Sequence, residues 1–516
     1  MFLKDIVPRL AGGTAQLHFL SPSGPLRSHT FAELHADVQR LAEGLRQVGV
    51  IPGMRIGILG PSSYRWLVWD LAILSCGAVS VAFPHEKLEL PLDETLTGLA
   101  VCLVAAAPAL LSPEEADLPE VVDIDICAFP DKHVIARWPT DEQDPRTHSL
   151  AFSSGTTGKT KGLRISRPGT EHLINLYEAA FGSERGDRFL TFLPFANYQQ
   201  RMLYYFCLYH GADFVYVPYQ SLFQGLKQFR PTAMIAPPVF YEVARGMTEA
   251  GVPIGEDVDL RRERLSVRLK ELLGGNIRYL ITGMAPIKRQ TLDFFWNHAV
   301  PLYEAFGITE AGMVCWNKPG QIKLGSVGRP AEPRSVSLSA DGEVIVTREA
   351  LLSLGYFESS EEDARTTFLG PHSVATGDIA SFDGAGFLTI VGRKKDAIIV
   401  RSGEKFHPEG IEGQIQDDPQ VKAAVVMGGE PLPDIVALVV VRDKKDESVI
   451  GHIHKRIAQI NASLPQCQRV RQVLFTESEF TVENGLRTVN LKLNRRAILK
   501  RFEADLLSAG TAHVGR

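Results

Sequence analysis

The feature that most constrains the fold is an alternation of helical and strand-length apolar segments over most of the chain. Apolar residues recur every three or four positions over residues 31–47, which predicts an amphipathic helix there. Thr30 and Glu33 predict a capping box at its start. Short apolar runs of strand length follow at residues 55–59, 78–83, 188–193, 213–217, 232–236 and 277–282. This alternation predicts mostly parallel sheets covered by helices.

The loops at the carboxyl ends of these strands are the expected place for a ligand, because open α/β sheets bind ligands there. In this sequence the relevant loops are residues 194–197, 237–238 and 282–286. We therefore expect these three segments to contribute to one binding site.

The pattern changes after about Gly328. Short alternating segments, such as residues 343–347 and 386–391, are separated by Asp-Gly pairs that favour hairpins. A charged connector at residues 392–396 precedes about 120 residues, enough for a separate small domain. The predicted fold class is α/β. Residues 1–394 form a large domain of helix-covered, mostly parallel sheets plus an antiparallel β subdomain, and residues 395–516 form a small C-terminal α/β domain.

Composition narrows the class of partner. The 516 residues carry 55 Lys and Arg against 60 Asp and Glu, a formal net charge of −5, which gives no electrostatic reason to expect nucleic acid or an anionic membrane. Six scattered cysteines without a C-x-x-C pair predict neither a disulfide framework nor a zinc module. The longest apolar stretch, residues 66–83, is interrupted by Asp70, so no membrane span is predicted. We expect a cytoplasmic protein whose partners are small molecules or proteins.

The segment richest in chemistry is residues 153–162, which read Ser-Ser-Gly-Thr-Thr-Gly-Lys-Thr-Lys-Gly after a short apolar run. Glycines let backbone N–H groups converge on anionic oxygens, hydroxyls add donors and lysines add charge, so the segment is typical of a phosphate loop. It is not a Walker loop, because that motif needs four residues between its first glycine and the Gly-Lys pair, whereas only two residues separate Gly155 from Gly158. A flexible surface turn is the alternative interpretation, but the paired lysines and three glycines favour phosphate.

This segment resembles the phosphate loop of the adenylate-forming superfamily, which includes acyl-CoA synthetases, luciferases and peptide-synthetase adenylation domains. The family pattern, [ST]-[ST]-G-[ST]-T-G-x-P-K-G, is matched except that Thr160 replaces proline. The resemblance implies a set of ATP-binding residues in the loop, with Thr156 also a magnesium ligand. The set is Ser153, Ser154, Gly155, Thr156, Thr157, Gly158, Lys159 and Lys161.

Further motifs of the same superfamily follow in order. Residues 303–310, Tyr-Glu-Ala-Phe-Gly-Ile-Thr-Glu, resemble its Tyr-Gly-x-Thr-Glu element, which implies that Phe306 stacks on adenine, Thr309 contacts phosphate and Glu310 binds Mg²⁺. Asp378 and Arg393 match the residues that contact the ribose hydroxyls. Residues 282–286 resemble the family's Ser-Gly-Gly-Ala-Pro segment. The remaining nucleotide contacts implied by these two elements are Gly283, Met284, Ala285, Tyr303, Glu304, Ala305 and Gly307.

The C-terminal part resembles the mobile domain of this superfamily. Lys492 lies where members keep the catalytic lysine, although Arg487 and Lys500 are nearby alternatives. Lys395 matches the hinge residue, and Gly403 and Glu404 match a loop that moves in with the small domain for transfer to CoA. Thr309, Glu310 and Lys492 are thus the implied catalytic residues.

The resemblance implies an AMP-forming acid–thiol ligase that uses ATP, Mg²⁺ and CoA. A carboxylate attacks the α-phosphorus of ATP and a thiol then displaces AMP, so no protein nucleophile is required. The wording of the motifs is closest to long-chain acyl-CoA synthetases, which favours a fatty or other hydrophobic acid. The alternative is a biosynthetic ligase for an aromatic or functionalised acid that passes the acyl group to a carrier-protein phosphopantetheine, an amine or an internal nucleophile. A non-catalytic nucleotide-binding protein is disfavoured because the motif residues are retained together.

The substrate pocket is implied less specifically. The resemblance points to Asn197, Tyr198, Pro237, Gly283 and Gly307 as lining residues. Three positions depart from the long-chain pattern: Asn197 replaces histidine, Gln200 replaces glutamate and Pro238 replaces arginine. These changes either reshape the pocket for a bulky, aromatic or functionalised acid or are neutral packing changes.

Overall fold

The computed structural model describes residues 2–20, 26–84, 90–126, 129, 144–154, 160–253, 257–357, 361–400, 403–430, 432, 434–487 and 493–508. The side chains of residues 153, 154, 160, 161, 361, 363 and 508 lie outside the described part. The helices are α1 (Ile6–Leu10), α2 (Phe31–Gln47), α3 (Tyr64–Ser75), α4 (Leu92–Gly98), α5 (Pro113–Ala116), α6 (Arg167–Phe181), α7 (Tyr198–His210), α8 (Leu222–Phe229), α9 (Pro238–Glu249), α10 (Val258–Leu272), α11 (Arg289–Asn297), α12 (Glu361–Thr367), α13 (Glu409–Gln416), α14 (Glu447–Ser463) and α15 (Arg495–Ser508). None of the described helices is both long enough and apolar enough to cross a membrane.

The strands, numbered in chain order, follow the predicted change from parallel to antiparallel pairing. They are β1 (Gln16–Phe19), β2 (Arg27–Thr30), β3 (Arg55–Leu59), β4 (Val79–Phe83), β5 (Val101–Ala106), β6 (Val121–Asp123), β7 (Thr147–Ser154), β8 (Thr160–Ser166), β9 (Arg188–Thr191), β10 (Asp213–Tyr216), β11 (Ala233–Ala236), β12 (Tyr279–Thr282), β13 (Leu302–Ile308), β14 (Gly312–Trp316), β15 (Arg329–Pro330), β16 (Val336–Leu338), β17 (Glu343–Thr347), β18 (Ser353–Phe357), β19 (Phe368–Gly370), β20 (Ser373–Phe382), β21 (Leu388–Arg393), β22 (Ile398–Ile399), β23 (Lys405–Phe406), β24 (Val421–Met427), β25 (Val436–Val441) and β26 (Gln472–Thr476).

Two large sheets form the body of the N-terminal part. The first has the order β15-β14-β13-β12-β11-β9-β10-β1-β2 and is parallel from β13 to β1. The second has the order β18-β8-β7-β4-β3-β5-β6 and is parallel from β7 to β6. Antiparallel strands lie at both edges of the first sheet and at one edge of the second. Two of the antiparallel hairpins, β7–β8 and β13–β14, carry the predicted phosphate and magnesium motifs.

Strands β16, β17, β19, β20 and β21 form the predicted antiparallel subdomain. Beyond it, β24, β25 and β26 form a small sheet covered by α13, α14 and α15, with a separate apolar core. The predicted fold class is therefore confirmed.

Local sequence accounts for the first helix and strand. In α2 the Thr30 side chain accepts a hydrogen bond from the Glu33 N–H and the Glu33 carboxylate bonds back to Thr30, so the predicted capping box is present. The helix and β3 have the predicted bounds, whereas β9 and β12 are shorter than predicted because the last or first apolar residues of each run lie in the adjoining loops.

Asp70, which interrupts the long apolar stretch, lies fully buried in α3 opposite Arg201 of α7. The hydroxyls of Tyr204 and Tyr205 also donate to its carboxylate. Because α3 follows a strand of the second sheet and α7 follows a strand of the first, this buried ionic cluster joins the two halves of the N-terminal part.

Candidate active site

The predicted phosphate loop is the connection of the β7–β8 hairpin. Phe152 pairs with Gly162 and Ser153 with Lys161, so residues 155–159 join the two strands at their ends. These five residues, which include Thr156 and Lys159, lie outside the described residues, as do the side chains of Ser153, Ser154 and Lys161. Their phosphate contacts stay a prediction.

Thr309 and Glu310 lie at the tip of the β13–β14 hairpin. Ile308 pairs with Gly312, whose φ of +72° gives the left-handed turn that glycine adopts readily. The hydroxyl of Tyr356 in β18 donates to Glu310 Oε1 at 3.0 Å. Since Tyr356 pairs with Leu163 of β8, the predicted magnesium carboxylate contacts the strand next to the one that leaves the phosphate loop.

The ends of β12 and β13 meet next to this tip, and close backbone packing requires their glycines. A Cβ on Gly283 would lie 2.9 Å from the Ala305 carbonyl oxygen, and one on Gly307 would lie 2.5 Å from the Gly312 oxygen. Met284 follows with a φ of +73°, a conformation that costs about 1 kcal/mol or more for a residue with a side chain. Strained backbone of this kind is concentrated at functional sites.

The predicted nucleotide residues of β13 divide between two faces, because side chains alternate along a strand. Glu304 and Phe306 lie on one face. Tyr303 and Ala305 lie on the other and belong to the main apolar core, where the Tyr303 ring packs 5.5 Å from that of Trp296.

Glu304 is an unusual carboxyl group. Burial raises its pKa to about 8, opposed by a 2.8 Å hydrogen bond from the Gly325 N–H and by the charge of Arg289. At neutral pH the group is therefore mainly protonated and can donate a hydrogen bond as well as accept one.

The two predicted ribose residues meet across neighbouring strands. Asp378 of β20 pairs in register with Arg393 of β21, and Arg393 Nε lies 3.0 Å from Asp378 Oδ1. Asp378 is 4% exposed, whereas the Arg393 side chain is 36% exposed. The pair combines a fixed carboxylate, suited to hydroxyl donors, with a reachable guanidinium.

Near the predicted substrate pocket, several side chains are already engaged in packing. Asn197 caps α7 by accepting from the Gln199 N–H. Tyr198 is 2% exposed, and its hydroxyl contacts His148 Nε2 at 2.7 Å and Thr170 Oγ1 at 2.6 Å. It therefore belongs to an interior polar network and does not present its hydroxyl at the strand ends.

The other two departures from the family pattern also have local roles. Gln200 is 1% exposed and accepts from Thr191 Oγ1 at 2.6 Å. Pro237 precedes α9, and the buried Pro238 opens the helix at a position where proline is favoured. For Gln200 and Pro238, these contacts favour the packing interpretation.

The predicted hinge lies between residues held by different domains. Lys394 Nζ contacts Glu343 Oε2 of the antiparallel subdomain at 2.7 Å, while Asp396 Oδ2 lies 3.7 Å from Arg495 Nε of α15. Lys395, between them, is exposed in a short 3₁₀ turn. Rotation about this residue would separate the two sets of contacts.

The small domain contacts the large one close to the hinge. The Arg393 N–H donates to Glu409 Oε1 of α13 at 3.2 Å, and burial raises the pKa of Glu409 to about 7. Gly403, with a φ of +85°, turns the chain between β22 and β23, and Glu404 next to it is exposed.

Lys492 lies outside the described residues, but the segments on either side of it are described. Arg487 and Leu493 form an isolated antiparallel bridge that encloses residues 488–492. Burial lowers the pKa of Arg487, opposed by the negative charge of Glu242 in α9. This part of the small domain therefore faces the helix that follows β11.

Comparison with known proteins gives the family. The AMP-binding enzyme family matches residues 12–350, and the AMP-binding enzyme C-terminal domain matches residues 395–509. The chain belongs to the AMP-binding enzyme family. This AMP-binding enzyme is 25% identical to long-chain-fatty-acid–CoA ligase FadD15 of Mycobacterium bovis over 92% of this chain and 91% of that protein.

Two further relatives differ in the acid that they are named for. Feruloyl-CoA synthase of an Amycolatopsis species is 27% identical over 77% of this chain and 80% of its own length. The structure of the anthranilate CoA ligase AuaEII with anthranoyl-AMP superposes with a TM-score of 0.79 at 20% identity, covering 99% of this chain and 98% of that one. The last match shows that this AMP-binding enzyme shares the fold of that ligase.

Mg²⁺ fits the donors that this AMP-binding enzyme offers. Among the described residues there is no cluster of three or more His, Cys, Asp or Glu side chains that could cage a metal. Mg²⁺ does not require one, since it keeps several waters and binds one or two carboxylates together with substrate phosphates. Glu310 supplies a carboxylate that Tyr356 orients, and the other predicted ligand, Thr156, lies outside the described part.

Two residues of this AMP-binding enzyme that act on the Glu310 tip were missed from the sequence. Tyr356 contacts the carboxylate and Arg348 binds backbone carbonyls just after it. Both lie in the alternating segments after Gly328, where nothing in the local pattern marks them.

Proposed function

We propose that this enzyme activates a hydrophobic carboxylic acid with MgATP as an acyl adenylate and then transfers the acyl group to CoA. In the first step a carboxylate oxygen attacks the α-phosphorus of ATP, and the bond to pyrophosphate breaks. In the second step the CoA sulfur attacks the acyl carbonyl, its proton is released and AMP leaves.

The observation that carries the proposal is the bond from Tyr356 to Glu310. It holds the carboxylate at the tip of one hairpin against β18, which pairs with the strand that leaves the phosphate loop of another. Mg²⁺ bound by Glu310 would neutralise charge on the phosphate oxygens. Asp378 accepts hydrogen bonds from the ribose hydroxyls and Arg393 contacts the sugar. The nucleotide is therefore held both at its phosphates and at its ribose.

Lys492 stabilises the negative charge that develops between the acid and the α-phosphate. The bridge between Arg487 and Leu493, on the side of the small domain that faces Glu242, supports this role because it fixes the chain on both sides of the lysine. For transfer to CoA the lysine must leave, which the chain achieves by rotation at Lys395. Gly403 and Glu404 then approach the acyl adenylate.

A hydrophobic acid is supported by the apolar residues that follow three neighbouring parallel strands. Phe192 follows β9, Phe240 lies in the first turn of α9 after β11, and Met284 follows β12. The Phe192 and Phe240 rings lie 6.1 Å apart, and Met284 packs against the same apolar cluster. The names of the fatty-acid and feruloyl relatives support the same class of acid.

The test is pyrophosphate exchange into ATP driven by a panel of fatty, aromatic and hydroxycinnamic acids. We expect exchange with at least one hydrophobic acid and none without acid. Release of AMP that depends on added CoA supports CoA as the acceptor. Exchange without CoA-dependent AMP release assigns the acyl group to another acceptor, such as a carrier-protein phosphopantetheine. Failure of every acid, together with failure to bind ATP, would overturn the proposal.

A further inference from the structure

We infer that Arg348 is a positioning residue that fixes the direction of the Thr309–Glu310 tip and thereby sets the affinity for Mg²⁺ with ATP. The inference rests on the proposed function, since it concerns the metal that Glu310 would bind there. None of the contacts described for Arg348 involves a predicted substrate-binding residue, so its action is through the backbone of the tip.

The guanidinium of Arg348 binds two carbonyls that follow Glu310. Its Nη1 donates to the Ala311 oxygen at 3.0 Å and its Nη2 donates to the Met313 oxygen at 2.5 Å. These carbonyls flank Gly312, where the chain reverses direction with a positive φ. A planar guanidinium can bind both carbonyls at once, whereas a lysine ammonium lacks that geometry.

Apolar packing also holds the tip of the hairpin. Ala311 is fully buried, and a Cβ on Gly312 would lie 2.2 Å from Leu173 Cδ1. Between this apolar wall and the two bonds from Arg348, the tip has little freedom to turn. The Glu310 carboxylate is consequently oriented before any ligand binds. No binding free energy is then needed to order the tip when a metal or a phosphate binds there.

Arg348 is also tied to the helix that follows the phosphate-loop hairpin. Its Nε lies 3.4 Å from Glu332 Oε2, and the same oxygen lies 2.9 Å from His172 Nε2 of α6. Helix α6 begins directly after β8. The chain of contacts from His172 through Glu332 to Arg348 therefore connects the phosphate-loop side of the site to the magnesium side.

One side of Arg348 borders an open surface cleft. Arg348 is 3% exposed, yet it lines this cleft of about 330 Å³ together with Glu332, Arg334, Thr347, Glu349 and His372. A small guanidinium compound can enter a space of this size. The role of Arg348 can therefore be tested by truncating its side chain and supplying a small guanidinium compound from solution.

The experiment compares the wild type with Arg348→Met, Arg348→Ala and, as a matched control, Arg278→Met. Arg278 also binds two backbone carbonyls, donating from Nη1 to the Phe181 oxygen at 3.1 Å and from Nη2 to the Gly182 oxygen at 3.3 Å, and it lies just before β12, at the end of that strand opposite residues 282–286. Two quantities are measured: the Mg²⁺ concentration that half-saturates pyrophosphate exchange, and the extra rise in melting temperature that Mg²⁺ adds to ATP alone.

We expect R348M to raise the half-saturating Mg²⁺ concentration about tenfold while the KM for the acid changes less than twofold. The extra thermal stabilisation by Mg²⁺ should be smaller at the same Mg²⁺ concentration, whereas that by ATP alone should remain. R278M should lower the melting temperature without changing the Mg²⁺ dependence. Methylguanidinium at millimolar concentration should restore part of the Mg²⁺ affinity in R348A.

An unchanged Mg²⁺ dependence in R348M, or the same change in R278M, would overturn the inference. If R348M and R348A do not fold, Glu332→Gln decides, because it keeps the arginine and removes only its charged partner. A smaller rise in the Mg²⁺ requirement, about threefold, is then expected, and no rise refutes the positioning role. Absence of exchange in the wild type would count against the proposed function instead, and the thermal measurement with ATP and Mg²⁺ would still test Arg348.

Discussion

The hydroxyl of Tyr356 donates a hydrogen bond to the carboxylate of Glu310 over 3.0 Å, joining a strand of the second sheet to a hairpin tip of the first. Forty-six residues separate the two in sequence. Through this bond the magnesium motif is held against β18, which pairs with β8.

Removal of that bond should weaken nucleotide binding. Tyr356→Phe leaves the ring in place, so the free energy of unfolding should fall by only about 1 kcal/mol, while the KM for MgATP in pyrophosphate exchange should rise several-fold. Tyr209→Phe is the control, since the Tyr209 hydroxyl accepts only from Arg9 at the surface among its described contacts. Equal KM values for the two variants would contradict a role for Tyr356 at the site.

Asp378→Asn should weaken recognition of the ribose. An amide keeps the shape but offers one acceptor where the carboxylate offers two, so the KM for ATP should rise on the order of 100-fold. Discrimination between ATP and 2′-deoxy-ATP should decrease at the same time. Asp383→Asn, which removes an ion pair with Lys323 on the same subdomain, should leave both quantities unchanged. Undiminished discrimination in D378N would argue against a ribose contact.

Glu304 should make the protein less stable as the pH rises. Burial raises its pKa from 4.5 to about 8, so between these values the folded state holds a proton that the unfolded state releases. Its contribution to stability is complete below pH 4.5 and is lost as the pH rises through 8, by up to about 1.4 kcal/mol per pH unit.

Glu304→Gln should abolish that dependence, because glutamine does not titrate and still accepts from the Gly325 N–H. Urea unfolding between pH 5 and pH 9 measures the difference in stability between this variant and the wild type, which should grow with pH in favour of the variant. Glu263→Gln, at an exposed position of α10, should show no such trend. A difference that is constant with pH would mean that Glu304 is already ionised.

Lys395→Pro should separate the two half-reactions. Proline fixes φ near −65° and prevents the rotation that the hinge requires. Pyrophosphate exchange should persist while CoA-dependent thioester formation falls at least tenfold, and Lys395→Ala should retain both. Equal loss of both half-reactions in K395P would count against the hinge.

Lys492→Met should have the opposite effect. Loss of the ammonium should reduce pyrophosphate exchange by two or more orders of magnitude, because the developing charge is no longer neutralised. Thioester formation from supplied acyl adenylate should continue. Lys500→Met, in α15, tests the nearby alternative and should leave exchange intact; loss of exchange in K500M alone would transfer the catalytic role to Lys500.

The sequence was sufficient for the order of elements and for the family. Period-two and period-3.6 patterns record which faces of a segment are buried, so α2, β3 and β17 have the predicted bounds. The predicted strand ends are less accurate where an apolar run continues into a buried loop, as after β9. The prediction of an AMP-binding enzyme is confirmed by the family match, while the roles of individual site residues stay predictions.

The sequence by itself determined which chemical groups this protein has available: a hydroxyl- and lysine-rich loop, a Glu310 tip, and Asp378 and Arg393 near the end of the large domain. Only the tertiary structure decided how they are held. Asp70 meets Arg201 across 131 positions, and Arg348 reaches the carbonyl of Ala311 across 37. The reason is physical: local periodicity specifies the buried face of a segment, whereas its contacts depend on strand order and on packing between sheets, which no local pattern encodes.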